Sequence, residues 1–314
     1  MIKAIKNWKD SIKSPKKKRS VADIIGKVCT ILIVILMVVY CFSLLFPVYW
    51  LIVNSFKGYI EYYVNSYFSL PEAWHWENYA YIFENFHYKT TTSNGIYYFS
   101  LGTMTYYSVY SSVLTALYAT VTMFLCAYAC GRYHDFKLSK ILCAVGMFWM
   151  LLPAVSDGGA GLLFKKRLGL YDNLTAWILC SGGCIFTGQW FFVVKSYFQG
   201  LAKDLADAAY IDGAGQFDVC FKIMMPLATP LMVFIFFLSF LSSWNNYGLF
   251  LFYMPSYANL ALGIYMYQQN AALLGATIPQ VLAGFVVVVV PIVVLYLCSH
   301  KLIINNLNIG GIKG

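Results

Sequence analysis

The stretch LAKDLADAAYIDGAGQF at residues 201–217, followed by IMMPLATP at residues 223–230, decides how this sequence folds. Residues 204–210 predict a short helix with small side chains on one face, which would allow another surface to approach closely. Gly213 stands where a helix would end in a left-handed residue, a conformation that glycine adopts without steric cost. A second short helix is expected to run to Pro226, which should break it. Segment 199–230 therefore predicts a helix-turn-helix foot between two longer elements.

The composition around this segment is typical of a membrane protein. Hydrophobic residues make up 60% of the 314-residue chain and charged residues only 11%, whereas a soluble domain carries about 25% charged residues. A water-soluble fold could not cover this much apolar surface, so we expect the bilayer to be the solvent. The sequence therefore predicts an all-α integral membrane protein.

Long uncharged windows predict six membrane spans, since a helix needs about 20 apolar residues to cross a bilayer. The windows are residues 28–53, residues 105–130, a third that begins at residue 141, and residues 174–194, 227–253 and 281–298. Pro153 and Asp157 leave the outer end of the third span open. The predicted layout is a basic tail at 1–27, a six-helix body at 28–300 with outer loops at 54–104 and 254–280, and a second tail at 301–314.

Basic residues are distributed unevenly about these spans. Nine of the 22 Lys and Arg residues lie in residues 1–27, where they suit a tail held near anionic lipid and argue against nucleic acid as the partner. With the N-terminus inside, the inner segments hold 17 basic residues and the outer segments hold five. The positive-inside rule therefore predicts both termini in the cytoplasm, with the basic cluster at 165–167 as the local exception.

Several kinds of chemistry are excluded by what the sequence lacks. No G-x-x-x-x-G-K-[ST] motif occurs, so we expect no nucleotide site of the P-loop kind in this chain. The 13 carboxylates avoid the interiors of the predicted spans, whereas an ion-coupled carrier would need acids there. The four His and nine Cys residues form no pattern typical of a catalytic or metal site, so we expect neither an enzyme nor a bound cofactor.

Segment 199–230 resembles the EAA loop of the permease subunits of ABC importers, whose pattern is E-A-A-x3-G-x9-I-x-L-P. Without gaps, the pattern falls on Asp207, Ala208, Ala209, Gly213, Ile223, Met225 and Pro226. The family's usual D-G-A context is matched by Asp212, Gly213 and Ala214. Asp207 replaces the Glu of the pattern and Met225 replaces its Leu, and these changes keep the charge and the apolar character.

Shorter matches extend the resemblance to the carbohydrate-uptake branch of that family, the maltose-transporter inner-membrane (MalG-like) type. They are Ser-Phe-Lys at 55–57, Leu-Pro at 70–71, Glu-Asn-Tyr at 77–79, Leu-Gly-Leu at 168–170, Trp-Asn-Asn-Tyr at 244–247 and Gly-Gly-Ile-Lys-Gly at 310–314. The resemblance implies the type I importer (MetI-like) permease fold. It also implies cytoplasmic coupling helices and a multi-pass location in the bacterial plasma membrane.

A working assembly is implied by the same resemblance. Such a permease pairs with a second permease, docks two ATPase subunits that hold ATP and Mg, and receives its cargo from an extracellular solute-binding protein. The expected cargo is a carbohydrate such as an oligosaccharide, and the alternative cargo is another polar solute such as glycerol phosphate or a peptide. The alternative kind of transporter is an ion-coupled carrier. The residues expected to couple to the ATPase are Asp207, Ala208, Ala209, Asp212, Gly213, Ala214, Ile223 and Pro226.

Two further groups of residues have both a functional and a structural interpretation. Sugars are commonly bound by aromatic faces and amides, which predicts a substrate path at Gln189, Trp190, Trp244, Asn245, Asn246 and Tyr247. Hydrogen bonding between helices in lipid is the alternative for these residues. Contact with the solute-binding protein is predicted at Trp74, Trp76, Gln268, Gln269 and Asn270. An interfacial aromatic belt is the alternative for the two tryptophans, and an inert connector is the alternative for the three amides.

Overall fold

Helices make up most of the computed structural model, which describes residues 21–92, 95–151, 159–181, 189–201 and 203–307. Four parts of the predicted organisation lie outside these residues. They are the basic cluster of the N-terminal tail, the outer end of the third span at Pro153 and Asp157, the middle of the fourth span at 182–188, and the glycine-rich match at 310–314.

The helices and strands have the following bounds. The first part of the chain forms α1 (Val21–Ser55), α2 (Tyr59–Val64), α3 (Glu77–Asn85), β1 (His87–Thr92), β2 (Gly95–Ser100), α4 (Leu101–Arg132), α5 (Lys137–Leu151), α6 (Gly159–Arg167), α7 (Leu174–Ser181) and α8 (Gln189–Gly200). The remainder forms α9 (Lys203–Ile211), α10 (Gln216–Asp218), a π-helical turn (Val219–Met224), α11 (Met225–Trp244), α12 (Tyr247–Tyr253), α13 (Leu260–Asn270) and α14 (Ile278–Leu307).

Four stretches of the described chain are helical, long enough and apolar enough to cross a membrane. They are Ile25–Ser55, Leu101–Arg132, Gln216–Trp244 and Ile278–Lys301, and they coincide with the first, second, fifth and sixth predicted spans. Helix α5 covers the start of the third span, from residue 141 to residue 151, and α7 and α8 cover the two ends of the fourth. The mostly helical membrane fold is therefore confirmed, and the count of six spans stays a prediction.

The chain separates into two compact units, one up to Val53 and one from Asn54 onward. In the first unit, the side chains of α1 from residue 25 to residue 49 are all exposed, although this stretch is strongly apolar. A helix that is hydrophobic on every side needs lipid or other membrane helices around it. The first unit therefore has the character of a membrane helix.

Helix α4 is the central packing element of the second unit, where it contacts α11 along its length and α8 near its C-terminal end. Its buried face consists largely of small and hydroxyl-bearing residues, which let neighbouring helices approach closely. These residues include Ser108, Ser111, Ser112, Ala116, Thr120, Ala127 and Gly131. At Gly131 an added Cβ would lie 3.0 Å from the carbonyl oxygen of Lys195 on α8, so a larger residue would force the two helices apart.

Two hydrophobic clusters form the core of this unit, at opposite ends of α4. The cluster at the N-terminal end joins α4 to α3, α13 and α14, with Ile82, Met104 and Leu262 fully or almost fully buried. The cluster at the C-terminal end joins α4 to α8, to the start of α11 and to α9, with Phe124 and Phe191 fully buried. The segment 199–230 thus belongs to one core and the loop 254–280 to the other.

A break divides the predicted fifth span, which was expected to run unbroken over residues 227–253. Helix α11 ends at Trp244 and α12 begins at Tyr247. The side chain of Asn246 accepts a hydrogen bond from the backbone N–H of Leu249 at 3.0 Å, which caps the new helix. The span prediction was wrong at this point, because neither Pro nor Gly marks the break in the sequence.

The structure also corrects the prediction for Pro226, where the helix continues instead of ending. This proline was expected to break a short helix, but α10, the π-helical turn and α11 follow one another without interruption. Pro226 is the second residue of α11 and directly follows the π-helical turn, so its missing N–H falls where the helical hydrogen bonding is already altered. The widened turn before it accommodates the change in hydrogen bonding, as π-helical turns do inside helices. The segment that enters the fifth span is therefore a continuous helical rod.

An antiparallel hairpin of β1 and β2 is the exception to the predicted all-α fold. Tyr88 pairs with Phe99, and their rings stack at 6.1 Å between centroids, with Phe99 almost completely buried. β-Branched and aromatic residues favour strands, and an Asn-Gly dipeptide at residues 94–95 is a strong hairpin signal in the sequence. The hairpin lies within the predicted outer loop 54–104.

Asn259 connects the break in the fifth span to the following helix. It is fully buried, and its side-chain oxygen accepts a hydrogen bond of 2.8 Å from the backbone N–H of Leu262, which caps α13. Its amide nitrogen donates to the carbonyl oxygens of Trp244 and Asn246, both at 3.4 Å. One side chain therefore satisfies backbone groups on both sides of the break.

We predict that Asn259→Ala destabilises the second unit by about 1–3 kcal/mol, because buried backbone groups lose their partners. The measurement is thermal unfolding of the detergent-solubilised protein, and the expected result is a lower melting temperature. Asn270→Ala is the matched control, since Asn270 is exposed and bonds only within its own helix. Equal melting temperatures for the two variants would show that Asn259 does not hold the break together.

Candidate functional site: the coupling segment

The turn after α9 has the geometry that the sequence predicted. Gly213 has φ +83°, in the left-handed region that favours glycine. The backbone N–H of Ala214 donates to the carbonyl oxygen of Ala209 at 2.9 Å, and the N–H of Gly213 donates to that of Tyr210 at 3.1 Å. This pair of bonds is the Schellman motif, which ends a helix and reverses the chain. The predicted helix stop at Gly213 is confirmed.

The small residues of α9 do not all point the way that the sequence suggested. Ala206 is fully buried and Ala209 is half-buried against the cluster at the C-terminal end of α4. Asp207, Ala208 and Asp212 are exposed on the other side. Ala206 therefore seats α9 on this chain's own core, and the coupling role expected of Ala208 and Ala209 stays a prediction.

An ion pair connects α9 to the end of α4. The guanidinium Nη2 of Arg132 lies 3.3 Å from Oδ1 of Asp207, the residue at the acidic position of the EAA pattern. The Arg132 side chain is mostly buried, with 19% of its surface exposed, whereas 61% of the Asp207 side chain is exposed. Nearby, burial raises the pKa of the Tyr133 phenol, and the neighbouring Tyr210 raises it further.

The rest of the predicted coupling set continues from this turn into α11. Ala214 is half-buried after the turn, Ile223 is half-buried in the π-helical turn, and Pro226 is exposed at the start of α11. On the same stretch, Asp218 and Lys222 form an exposed ion pair at 2.6 Å, four residues apart. The structure thus places all eight predicted coupling residues in one continuous segment.

Exposed apolar side chains on this segment were not identified from the sequence. Ile211 at the end of α9 is 86% exposed, and Phe217 in α10 is 81% exposed. Leu205 and Phe221 are also exposed, at 47% and 54%. The sequence signal that could have identified them is the presence of large apolar residues in a short segment that is otherwise polar or small. An apolar group of this kind on a short projecting segment is typical of a protein-protein contact.

The predicted substrate-path residues are not brought together as one site. Trp244 is fully buried in the cluster at the N-terminal end of α4, and Trp190 packs on Phe234 in the other cluster. Because the ring of Trp244 is completely covered, it cannot stack on a sugar, and its predicted role is corrected to a structural one.

The other four members of the path are accessible. Gln189 is exposed at the start of α8, Asn245 is exposed at the break, and Tyr247 stacks on Tyr265 at 4.7 Å. Asn246 lines a cavity beside Lys165 that the sequence did not reveal. The only sequence signal for Lys165 was its place in the basic cluster that broke the charge rule.

The predicted outer contact residues lie on exposed surface. Trp74 and Trp76 are 54% and 66% exposed, and both pack edge-on against Phe56. Gln268, Gln269 and Asn270 are exposed at the end of α13. The phenol of Tyr81 on α3 donates to the carbonyl oxygen of Leu274 at 3.4 Å, which ties the loop after α13 to the segment that follows the tryptophans.

No group of three or more His, Cys, Asp or Glu residues that could hold a metal ion occurs in the described part of the chain. The comparison with protein families gives a match over residues 123–306 to the family described as binding-protein-dependent transport system inner membrane component. This chain belongs to that family. The permease therefore contributes membrane helices to a transporter, and the ATPase is a separate subunit, as the sequence predicted.

Relatives match this permease over nearly its whole length. The arabinooligosaccharides transport system permease protein AraQ of Halalkalibacterium halodurans is 31% identical and covers 87% of this chain and 92% of its own. The trehalose/maltose transport system permease protein MalG of Thermococcus litoralis is 27% identical, with coverage of 93% and 99%. A crystal structure of a bacterial ABC transporter involved in alginate import matches with a TM-score of 0.68 at 19% identity, covering 92% of this chain and 99% of that one. The type I importer permease fold is thereby shown.

We predict that reversing one member of the Arg132–Asp207 pair lowers transport severalfold, and that the double variant Arg132→Asp with Asp207→Arg recovers part of it. The reason is that the swap restores opposite charges at 3.3 Å between α4 and α9. The measurement is uptake by membrane vesicles at matched permease levels.

Asp135→Arg is the control, because Asp135 carries the same charge at the same end of α4 but pairs only with the neighbouring His134. It should leave uptake near the wild-type level. A double variant no better than the worse single variant would mean that Asp207 acts through a partner other than Arg132.

Proposed function

We propose that this permease forms half of the translocation pore of an ATP-driven importer for a carbohydrate, and that it couples to a separate ATPase through segment 199–230. The observation that carries the proposal is the coupling segment itself. It is a rigid foot with exposed apolar side chains, in a membrane protein whose sequence has no nucleotide-binding motif. The names of the relatives, which transport arabinooligosaccharides and trehalose or maltose, support a carbohydrate such as an oligosaccharide as the cargo.

In this proposal the chain crosses the plasma membrane six times, with both termini in the cytoplasm. Residues 1–27 and 301–314 are the cytoplasmic tails, and residues 28–300 form the six-helix body. Support comes from the four apolar helices at predicted spans one, two, five and six, and from the 17-to-five distribution of basic residues. Loops 54–104 and 254–280 then face outward, and segment 199–230 faces the cytoplasm.

The foot transmits motion because it is attached to two long helices. Helix α9 packs on the π-helical turn and buries Ala206 in the cluster at the C-terminal end of α4, and its Asp207 forms the ion pair with Arg132 of α4. Beyond Gly213, the chain passes through the π-helical turn directly into α11. An ATPase subunit that binds Ile211 and Phe217 would therefore move α4 and α11 together. The coupling energy is the difference in contact free energy between the two states of the transporter.

The assembly needs partners at both faces of the membrane. A second permease completes the pore, and two ATPase subunits, which hold ATP and Mg, dock on the feet. A solute-binding protein delivers cargo to the outer surface, where Trp74, Trp76 and the amides at 268–270 are exposed. In the pore, Asn245, Asn246 and Tyr247 are the accessible members of the predicted path at the break in the fifth span.

We predict that the double variant Ile211→Ala with Phe217→Ala weakens association with the ATPase at least tenfold, because central apolar anchors of an interface commonly contribute about 2 kcal/mol or more each. Co-purification of the ATPase with the tagged permease measures association. ATP-dependent uptake of a panel of oligosaccharides by proteoliposomes containing the whole transporter measures function, and both should fall together.

Ile60→Ala is the matched control, since Ile60 is 74% exposed in the outer segment and should retain the ATPase. The ATPase-docking proposal is contradicted if the double variant keeps the ATPase as well as Ile60→Ala does. The importer proposal is contradicted if the wild-type assembly takes up no solute when ATP is supplied.

A further inference from the structure

Five tyrosines lie together at the N-terminal end of α4, where this helix meets the hairpin and the loop between α12 and α13. Tyr97 belongs to β2, Tyr106, Tyr107 and Tyr110 belong to α4, and Tyr257 belongs to the loop. The ring of Tyr107 contacts that of Tyr106 at 5.4 Å and that of Tyr257 at 5.3 Å between centroids. Three elements that are distant in the sequence thus contribute rings to one place, the tyrosine cluster.

A buried ring holds the inner side of the tyrosine cluster in place. Phe99 is almost completely buried, and Tyr97 stacks on it at 6.3 Å with an angle of 9° between the planes. Tyr107 meets Phe99 edge-on at 6.4 Å and 77°. Stacked and edge-on contacts restrict the orientation of each ring. The core therefore fixes the positions from which these phenol groups point.

The outer side of the tyrosine cluster offers an accessible ring surface. Tyr106 is 61% exposed, and it stacks on the half-buried Tyr110 at 5.8 Å with an angle of 21°. The two residues are four positions apart, so they lie on the same face of α4. Their stacked rings leave outward faces free. A flat aromatic face of this kind suits the C–H face of a sugar ring, since aromatic side chains commonly line ligand sites.

Hydroxyl groups without partners distinguish the tyrosine cluster from ordinary aromatic packing. Four of its tyrosines are half-buried, and in the part of the chain that the structure describes their hydroxyls have no hydrogen-bond partner; they are Tyr97, Tyr107, Tyr110 and Tyr257. A partly buried polar group that lacks a partner costs free energy. A phenol both donates and accepts, as do the hydroxyls of a sugar. A saccharide would therefore satisfy groups that the protein leaves unpaired.

The environment of Tyr257 shows that these phenols converge. Burial raises the pKa of the Tyr257 phenol, and the nearby Asp172, Tyr107 and Tyr97 raise it further. The Asp172 carboxylate is itself occupied, since it accepts bonds from the N–H of Ser256 at 2.9 Å and from the Ser256 hydroxyl at 2.6 Å. The groups left to meet a ligand here are thus the neutral phenols.

We propose that the tyrosine cluster is a saccharide subsite at the outer entrance of the pore, where Tyr106 and Tyr110 stack on a sugar ring and the hydroxyls of Tyr97 and Tyr257 bond to its hydroxyl groups. The inference rests on the proposed function of carbohydrate import and goes beyond it by locating where the cargo meets this permease. In the proposed topology the hairpin and the loop 254–280 face outward, which is the side from which the solute-binding protein delivers cargo.

A tyrosine belt at the membrane interface is the competing interpretation. Such a belt requires exposed rings, whereas the tyrosine cluster also gathers half-buried phenols from the hairpin and from the loop. The observations therefore favour the saccharide, and the experiment distinguishes the two.

The test separates sugar handling from assembly by two measurements on the whole transporter in proteoliposomes, with its solute-binding protein and ATP. One is the kcat/KM for uptake of the neutral oligosaccharide that the wild type transports best from a panel of two to four sugar units. The other is the ATP hydrolysis that the solute-binding protein stimulates. A structural role of the rings would change the two together.

Tyr106→Leu is expected to lower kcat/KM for uptake roughly fivefold or more, because the flat ring surface is lost, while Tyr106→Phe retains most of it. Tyr257→Phe keeps the packing and removes one hydrogen bond, so it should lower kcat/KM by roughly 2- to 10-fold. Stimulated ATP hydrolysis should stay close to the wild-type rate in all three variants.

Tyr98→Leu is the matched control, since Tyr98 is 67% exposed and lies next to Tyr97 on the opposite face of the hairpin. It should leave uptake unchanged. Unchanged uptake in Tyr106→Leu would assign the ring to a membrane belt, and a parallel fall of uptake and ATP hydrolysis would assign it to assembly. Either result, or equal effects of Tyr98→Leu and Tyr106→Leu, would overturn the subsite.

The wild-type transporter separates this inference from the proposed function. Sugar uptake that the variants of the tyrosine cluster do not alter would overturn the subsite and leave the carbohydrate importer standing. Uptake of no sugar at all by the wild type would overturn both.

Discussion

The attachment of helix α9 to the end of α4 is the contact on which the rest of this account depends. Ala206 is buried against the second core, and Asp207, the next residue, meets Arg132 at 3.3 Å. Together they attach a nine-residue helix, too short to be stable alone in water, near the C-terminal end of a 32-residue helix. The π-helical turn makes the same connection to α11. In the proposed mechanism, motion of the foot reaches both long helices through these two connections.

In the half of the second unit around the N-terminal end of α4, the main organising feature is a broken helix whose backbone groups are satisfied by side chains. In lipid, unpaired N–H and C=O groups are costly, so a break inside a span needs internal partners. Asn246 and Asn259 provide them, and Asn259 does so from a fully buried position. The break in turn exposes Asn246 to the cavity that Lys165 lines. Asn246 therefore both caps α12 and belongs to the predicted substrate path.

The sequence predicts features that depend on local chemistry and misses those that depend on distant contacts. The left-handed turn at Gly213 follows from one residue type, and four spans follow from long apolar windows. The Arg132–Asp207 pair joins residues 75 positions apart, and no local pattern predicts it. The break at residues 245–246 depends on Asn259, more than ten positions further on. The exposure of Ile211 on α9 and of Phe217 on α10 becomes visible only when the packing of these two helices is known.

The central claim is that the foot lies on the cytoplasmic side of the membrane and is covered there by the ATPase. Gln216→Cys places a thiol on exposed surface next to Phe217 without removing an apolar contact. Its modification by a membrane-impermeant maleimide can be read at that position by mass spectrometry, in right-side-out and inside-out vesicles, with and without the ATPase. The account predicts labelling only in inside-out vesicles, and strong protection when the ATPase is bound. Labelling from the outer side, or equal labelling with and without the ATPase, would contradict it.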